Sequence, residues 1–288
     1  MSASSLPRST ASQQHTLIAG ARYELIPLKN VEAQLEFVPI GSSVSVTCSP
    51  TKGQQATLDL TMKVRDRGYE AVPHISARLT ESRERVRELA AWCRDAGVRE
   101  MFLVAGDAPE PAGPYEGAVD FLRDFLTEDH GLAKIGVTAY PDGHALIDRA
   151  VVSKALHAKQ KLLADAGVEG FASTQMCFDV DLFKTWLTAE RAGGLRLPVH
   201  LGVPGVIDRT KLLTMGMRLG VGASMRYVKK NGGVLGRLFS PGGYDPTKLI
   251  SPLSKVAADL GIEGLHLFTF NNVDATANWQ RTQLAKLK

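Results

Sequence analysis

Short apolar runs alternate along this chain with longer stretches in which apolar residues recur every three or four positions. The runs predict strands at residues 21–28, 43–49, 70–76, 100–107, 134–141, 170–178, 197–205 and 264–271. The periodic stretches predict helices at 56–67, 81–96, 115–128, 147–166, 180–192, 210–219 and 247–260, with only a weak helical pattern in the first connection, 29–41. Several helices end in the same punctuation: Arg67-Gly68, Asp95-Ala96-Gly97-Val98, Asp165-Ala166-Gly167-Val168 and Asp259-Leu260-Gly261-Ile262. A glycine that closes a helix just before a β-branched residue turns the chain into its next strand. Eight such strand–helix units in 288 residues predict an α/β fold, a single (β/α)8 TIM barrel with a closed parallel sheet.

The stretch 170–179 anchors this reading. Phe171, Ala172 and Met176 to Phe178 suit an interior parallel strand, and Asp179 stands where an N-cap would open the helix at 180–192. A doubly wound nucleotide-binding sheet would need G-x-G-x-x-G directly after an early strand. The nearest match, Gly220-Val221-Gly222, follows a helical pattern and lacks the third glycine, and there is no GxxxxGK[ST] phosphate loop. The seventh connection is longer than the others, with Gly232-Gly233 and Pro241-Gly242-Gly243 marking an irregular insertion. Residues 17–288 read as one barrel, and residues 1–16, rich in Ser, Thr and Gln, as a disordered tail.

Composition narrows the partners. A hydrophobic content of 44%, a charged content of 22% and a net charge of +4 describe an ordinary globular chain without the clustered Lys/Arg of a nucleic-acid groove. The one local cluster, Arg226, Lys229, Lys230 and Arg237, reads as a solvated helix face or an anion site. Cys48, Cys93 and Cys177 stand far apart, with neither disulfide nor zinc-site spacing, which fits a reducing cytoplasm and no metal. No apolar run reaches membrane-spanning length, and no long exposed apolar helix face announces an interface, which favours a monomer.

Barrels of this kind do their chemistry at the carboxyl ends of the strands. Those ends bring Glu24, Thr47, His74, Asp107, Tyr140, His144, Gln175, Asp179 and Asn271 to one face. Glu24 lies within Tyr23-Glu24-Leu25-Ile26-Pro27, where apolar neighbours would raise its pKa towards that of a general acid; the alternative is an outward Glu paired with a helix cation. Asp107 follows Leu103-Val104-Ala105-Gly106 and could serve either the mouth or a helix cap. His74 could be a ligand contact or a hydrogen-bonded core histidine, and His144 a contact or a solvent-exposed turn residue. Met215 and Met217 fit core packing.

At these strand ends the chain resembles the methylenetetrahydrofolate reductase family over roughly residues 20–275. Tyr23-Glu24-Leu25-Ile26-Pro27 is similar to the family's Phe-Glu-Phe-x-Pro, and Val44-Ser45-Val46-Thr47 to its Val-Ser-Val-Thr. Pro73-His74-Ile75-Ser76 resembles Pro-His-Leu-Thr, and Tyr140-Pro141-Asp142-Gly143-His144 resembles Tyr-Pro-Glu-x-His. Thr174-Gln175-Met176-Cys177-Phe178-Asp179 reproduces Thr-Gln-x-x-Phe-Asp in full, and His266-Leu267-Phe268-Thr269-Phe270-Asn271 resembles His-x-Tyr-Thr-x-Asn. The resemblance implies reduction of 5,10-methylenetetrahydrofolate to 5-methyltetrahydrofolate. Glu24 would protonate the departing N10, Gln175 would bond the pterin amide edge, and Asp107 would favour the iminium with its negative charge. Thr47 and Asn271 would complete the folate site.

Two departures bear on the cofactor. Family members usually hold FAD and use Arg-Gly-Asp-x-Pro at strand four and a Lys two residues before Asp-Ala-Gly on helix five; here those positions are Ala105 and Leu163. Losing two charge-assisted contacts to a diphosphate would cost on the order of 3 kcal/mol, at about 1.5 for each. Lys161 is nearby but two positions along a helix points it elsewhere. Pro-Gly-Ile-x-Pro on strand seven also becomes Pro204-Gly205-Val206-Ile207-Asp208. The expectation is a flavin-independent member without FAD, in which NADH or NADPH reduces the iminium directly and His74, Tyr140 and His144 line the nicotinamide cleft. The alternatives are an FAD enzyme using Lys161 or Arg149 as the missing cation, a folate methyltransferase-type barrel without redox activity, and a non-catalytic folate-binding barrel.

Overall fold

A computed structural model describes residues 10–208, 210–212, 214, 239–240 and 243–288. The cluster at Arg226–Arg237, the Gly220-Val221-Gly222 segment, Met215 and Met217, and most of the expected helix 210–219 and of the insertion lie outside the described residues.

Eight parallel strands close on themselves: β1 (Arg22–Leu25), β2 (Ser43–Val46), β3 (Glu70–Ser76), β4 (Glu100–Val104), β5 (Lys134–Ala139), β6 (Glu169–Thr174), β7 (Val199–Pro204) and β8 (Ile262–Phe268). The ring is sealed where β1 pairs with β8, Tyr23 opposite Leu267 and Glu24 opposite Phe268. Around it run α1 (Thr10–Ala19), α2 (Val31–Leu35), α3 (Gly53–Asp66), α4 (Arg83–Asp95), α5 (Ala118–Phe125), α6 (Arg149–Asp165), α7 (Val180–Ala192), α8 (Thr247–Ser254), α9 (Ala257–Leu260) and α10 (Val273–Lys286). A short antiparallel pair, Phe239–Ser240 with Gly243–Tyr244, precedes α8. Gly97 and Gly167 leave α4 and α6 with φ of 65° and 67°, the left-handed turn that the sequence punctuation predicts. No helix among the described residues is long and apolar enough to cross a membrane.

Four expectations need correction. The disordered tail at 1–16 is helical from Thr10, because Leu17 and Ile18 bury and the Ile18 carbonyl accepts a 2.7 Å hydrogen bond from Gln280 Nε2 on α10. The strand at 170–178 ends at Thr174: Asp179 caps α7 by accepting from the Asp181 and Leu182 N–H groups, so the chain between leaves the sheet to reach the helix. The helix at 247–260 divides into α8 and α9 two residues after Pro252, which offers no N–H. Helix α10, unforeseen in the sequence, has its stability from packing: Tyr23 turns outward from β1 and donates to Gln280 Oε1 at 2.8 Å.

The lumen is filled in tiers. At its amino-terminal end Arg22 and Glu100 form a buried ion pair of 2.6 Å, and the Arg22 guanidinium lies 5.1 Å from the centre of the Phe171 ring. Val72, Phe102 and Phe171 form an apolar plug, with His200 stacked 4.3 Å from Phe171. Gly136 on β5 makes room for it, since a Cβ there would stand 2.2 Å from Phe171 Cζ and 2.6 Å from Phe102 Cδ2. Gly136→Ala should therefore destabilise the barrel by about 1–3 kcal/mol, read as a lowered denaturant midpoint; an unchanged midpoint would mean that the plug is not close-packed.

Candidate active site

Strand alternation decides where Glu24 points. Tyr23 faces out to α10, so Arg22 and Glu24 face in. Glu24 is only 6% exposed, and its Oε2 lies 2.9 Å from His266 Nε2 on β8. Ser45 Oγ of β2 is 3.4 Å from the same nitrogen. His74 of β3 completes the group; its ring stands 5.9 Å from that of His266 and 4.8 Å from Phe102. Burial raises the Glu24 pKa from the ordinary 4.5 to about 7, opposed in part by His74. Burial also pushes both imidazoles down to about 3, so they are neutral at physiological pH. The result is a carboxyl group that can hold its proton near neutrality beside two uncharged rings.

The other sequence-derived residues fall into separate places. Asp107 is exposed in the loop after β4. Tyr140 and His144, after β5, are half-buried and meet edge-to-face at 5.1 Å. Burial, and to a lesser degree the Asp107 charge, raises the Tyr140 phenol pKa. His144 Nδ1 accepts from the Leu146 N–H at 3.2 Å. Gln175 follows β6 with its Oε1 accepting from the Met176 N–H at 2.8 Å. Thr47 directly follows β2, with a buried hydroxyl that has no hydrogen-bond partner among the described residues. Asn271 is in a different position from the rest: its amide accepts from the Ile26 N–H and donates to the Ile26 carbonyl, both at 2.9 Å, tying the end of β1 to the loop after β8.

Sequence reasoning gave no role to His266, Ser45 or Lys159. His266 and Ser45 were legible as motif positions, but only barrel closure sets them beside Glu24. Lys159 had a signal of its own, since it shares the buried stripe of α6 with Leu156 and Leu163. Its Nζ donates to Thr138 O at 3.1 Å and Oγ1 at 3.2 Å, and burial lowers its pKa to about 8.

Glu24, His74 and His266 suit a divalent ion by donor type, their ligand atoms lying within 4.8 Å of one another. Two ligands of a tetrahedral ion at about 2.0–2.1 Å stand roughly 3.4 Å apart, so the group would have to contract to hold one tightly. The 2.9 Å hydrogen bond between Glu24 and His266 is the use these atoms have here.

Fold and site together define a (β/α)8 barrel that encloses, in its lumen, a carboxyl group with its pKa raised by burial to about 7. The sequence model described as methylenetetrahydrofolate reductase matches residues 30–218. The chain belongs to the methylenetetrahydrofolate reductase family. Glu24 and His266 lie outside the matched stretch. The 5,10-methylenetetrahydrofolate reductase of Pectobacterium carotovorum subsp. carotovorum is 30% identical over 167 residues, 57% of this chain and 53% of that protein. Methylenetetrahydrofolate reductase 2 of Saccharomyces cerevisiae is 33% identical over 125 residues, 40% of this chain and 20% of that protein. The chain thus spans about half the length of the bacterial relative it matches and a fifth of the yeast one. A solved structure from Clostridium thermocellum, of a protein described as binding two copies of 5-methyl-5,6,7,8-tetrahydrofolic acid, shares the fold. Its TM-score is 0.61 at 13% identity, over 95% of this chain and 99% of that one.

The Glu24 shift has a consequence for stability. Between pH 4.5 and about 7 the folded carboxyl binds more protons than the unfolded one, so its contribution to stability is lost as pH rises through that window and is level above it. The lowered imidazoles act oppositely, removing stability as pH falls below about 6.5. Glu24→Gln should gain on the unsubstituted protein by on the order of 3 kcal/mol between pH 4.5 and 8, at about 1.4 per pH unit. Urea unfolding across that range measures it, and a difference independent of pH would show that the carboxyl is not held protonated.

Proposed function

We propose that this protein reduces 5,10-methylenetetrahydrofolate to 5-methyltetrahydrofolate with hydride passed directly from NADH or NADPH. The observation that carries the reading is Glu24, a carboxyl enclosed in the lumen with its pKa raised by burial to about 7. Opening the imidazolidine ring transfers a proton from Glu24 to N10 as the C–N10 bond breaks, leaving an iminium at N5. Hydride adds to the iminium carbon, NAD(P)+ departs, and Glu24 takes a proton back from solvent. Asp107 supplies negative charge at the mouth for the cationic intermediate. Gln175 turns its amide from the Met176 N–H to the pterin edge, and the unpartnered Thr47 hydroxyl offers a further contact. Asn271 shapes the site through its bonds to Ile26. Tyr140 and His144, which meet after β5, would line the side on which the nicotinamide approaches, with His74 bearing on it from within the lumen beside Phe102 and His266.

The side chains on and around α6 do not fit the diphosphate of FAD. Leu163, where family members carry Lys, is 1% exposed and packs in the wall against Gly170. Lys161 pairs with Asp165 at 2.7 Å on the outside of the helix, and Arg149 donates to the Asp142 carbonyl at 3.0 Å. Ala105, in place of Arg, offers only its carbonyl, which accepts from the Arg78 N–H. These substitutions favour a two-substrate reductase over a flavoprotein, and they leave the fold-level alternative of a non-redox folate barrel to the assay.

Purified protein should show no flavin absorption band and should oxidise NADH or NADPH only when methylenetetrahydrofolate is present. A yellow protein with one flavin per chain would replace direct transfer by flavin chemistry, and folate binding without nicotinamide oxidation would remove the reductase reading. Glu24→Gln should lower kcat by about 10²–10⁴-fold while still binding folate; full turnover in that variant would unseat the acid.

A further inference from the structure

Among the described residues His266 is the one polar group bonded to the Glu24 carboxyl, and its ring is gripped on several sides. It is 1% exposed and lies 5.1 Å from the Phe268 ring and 5.9 Å from each of Phe102 and His74. The grip leaves Nε2 between Glu24 Oε2 and Ser45 Oγ, and Nδ1 buried without a partner among the described residues. A neutral imidazole carries a single N–H, so the two tautomers differ in what they leave unsatisfied. With the proton on Nδ1, a buried N–H has no acceptor among the described residues, the costlier defect. With the proton on Nε2, the N–H is bonded to the carboxyl and only a lone pair is idle, the milder defect.

Resting on the reading of Glu24 as the acid, we propose that His266 is a positioning residue for the proton transfer. As the Nε2–H tautomer it donates to Oε2 in both states of Glu24, which confines the transferable proton to Oε1. The same N–H steadies the carboxylate left behind, a charge-assisted bond in a poorly solvated site. The surroundings bear this out from each neighbouring element: β2 brings the neutral Ser45, β3 the neutral His74, β4 Phe102 and β8 Phe268. The Arg22 cation on β1 is matched by Glu100 in the tier below, and Asp107 is exposed at the mouth. Among the described residues the donor bonded directly to the Glu24 carboxyl is therefore His266, with His74 acting on its charge only through space, and without that bond the carboxyl holds its proton more tightly and gives it up more slowly.

The test compares His266→Gln, whose amide nitrogen reaches the place of Nε2, with His266→Asn, whose shorter amide stops near Nδ1. The glutamine variant should keep kcat within roughly fivefold of the unsubstituted protein, and the asparagine variant should lose roughly tenfold to a hundredfold in kcat with little change in folate KM. In the asparagine variant the alkaline limb of kcat should also move to higher pH by about one unit, because the carboxylate has lost a donor. A purely structural role would lower both thermal midpoints and leave that limb in place, which overturns the proposal. Turnover abolished by EDTA and restored by zinc would overturn it too, assigning the three donors to a metal. Nitrogen-15 spectra of the histidine-labelled, unsubstituted protein read the tautomer without any variant: a proton on Nε2 is expected, and one on Nδ1 overturns the assignment. If Glu24→Gln keeps full turnover, the acid reading itself has failed; if it does not, but both His266 variants behave as the unsubstituted enzyme, only the positioning role has.

Discussion

Everything distinctive about this barrel follows from enclosing a carboxyl group with a neutral imidazole, not a cation, as its hydrogen-bond partner. In water an exposed glutamate is ionised at pH 7. Here desolvation outweighs the partial compensation from His74 and lifts the Glu24 pKa to about 7. An arginine in contact would have reversed the outcome, and the lumen does contain one. Arg22 sits on the same face of the same strand, but it is drawn down to Glu100 at 2.6 Å and over the Phe171 ring. The apolar plug of Val72, Phe102 and Phe171 thus accompanies a division of charge: a matched ion pair in the lower tier, and in the upper one a carboxyl without a cationic partner, its pKa raised to about 7.

The wall of the barrel tells a related story about cations. Helix α6 carries Lys154, Lys159 and Lys161, yet packing gives the latter two different fates. Lys161 faces solvent and pairs with Asp165, while Lys159 passes through the apolar stripe to reach Thr138, its pKa lowered to about 8 by burial. Leu163 fills the wall beside Gly170, whose missing side chain leaves space for the leucine methyl. The position of Leu163 is thus part of the hydrophobic packing of the wall and offers no charge to an anion.

Much of this was legible in the chain. The alternation of strand and helix runs, with glycine at the helix ends, fixes a closed parallel sheet because few other folds use that many right-handed crossovers. Asp179 was readable as the cap of α7, and Glu24 as a carboxyl among apolar neighbours, since both are consequences of local order. Less legible were the short or weakly patterned helices. Helix α1 looked like a polar tail because its buried residues are the polar Gln14 and, at its end, Leu17 and Ile18, and α10 lacks a strong apolar stripe because Gln280 and Tyr23 share a hydrogen bond at its interface.

By itself, then, the sequence determined the fold and the family likeness, and it marked Glu24 as a carboxyl within an apolar strand, because each depends on residue type and spacing along the chain. It could not determine the company Glu24 keeps. His266 is 242 residues away and meets it only because β8 closes the ring against β1, with Arg22 opposite His266 and Glu24 opposite Phe268. Nor could it show that Asn271 is committed to Ile26, or that Lys159 and not Lys161 is the buried amine. Those outcomes belong to register, burial and through-space distance, which exist only once the barrel has closed.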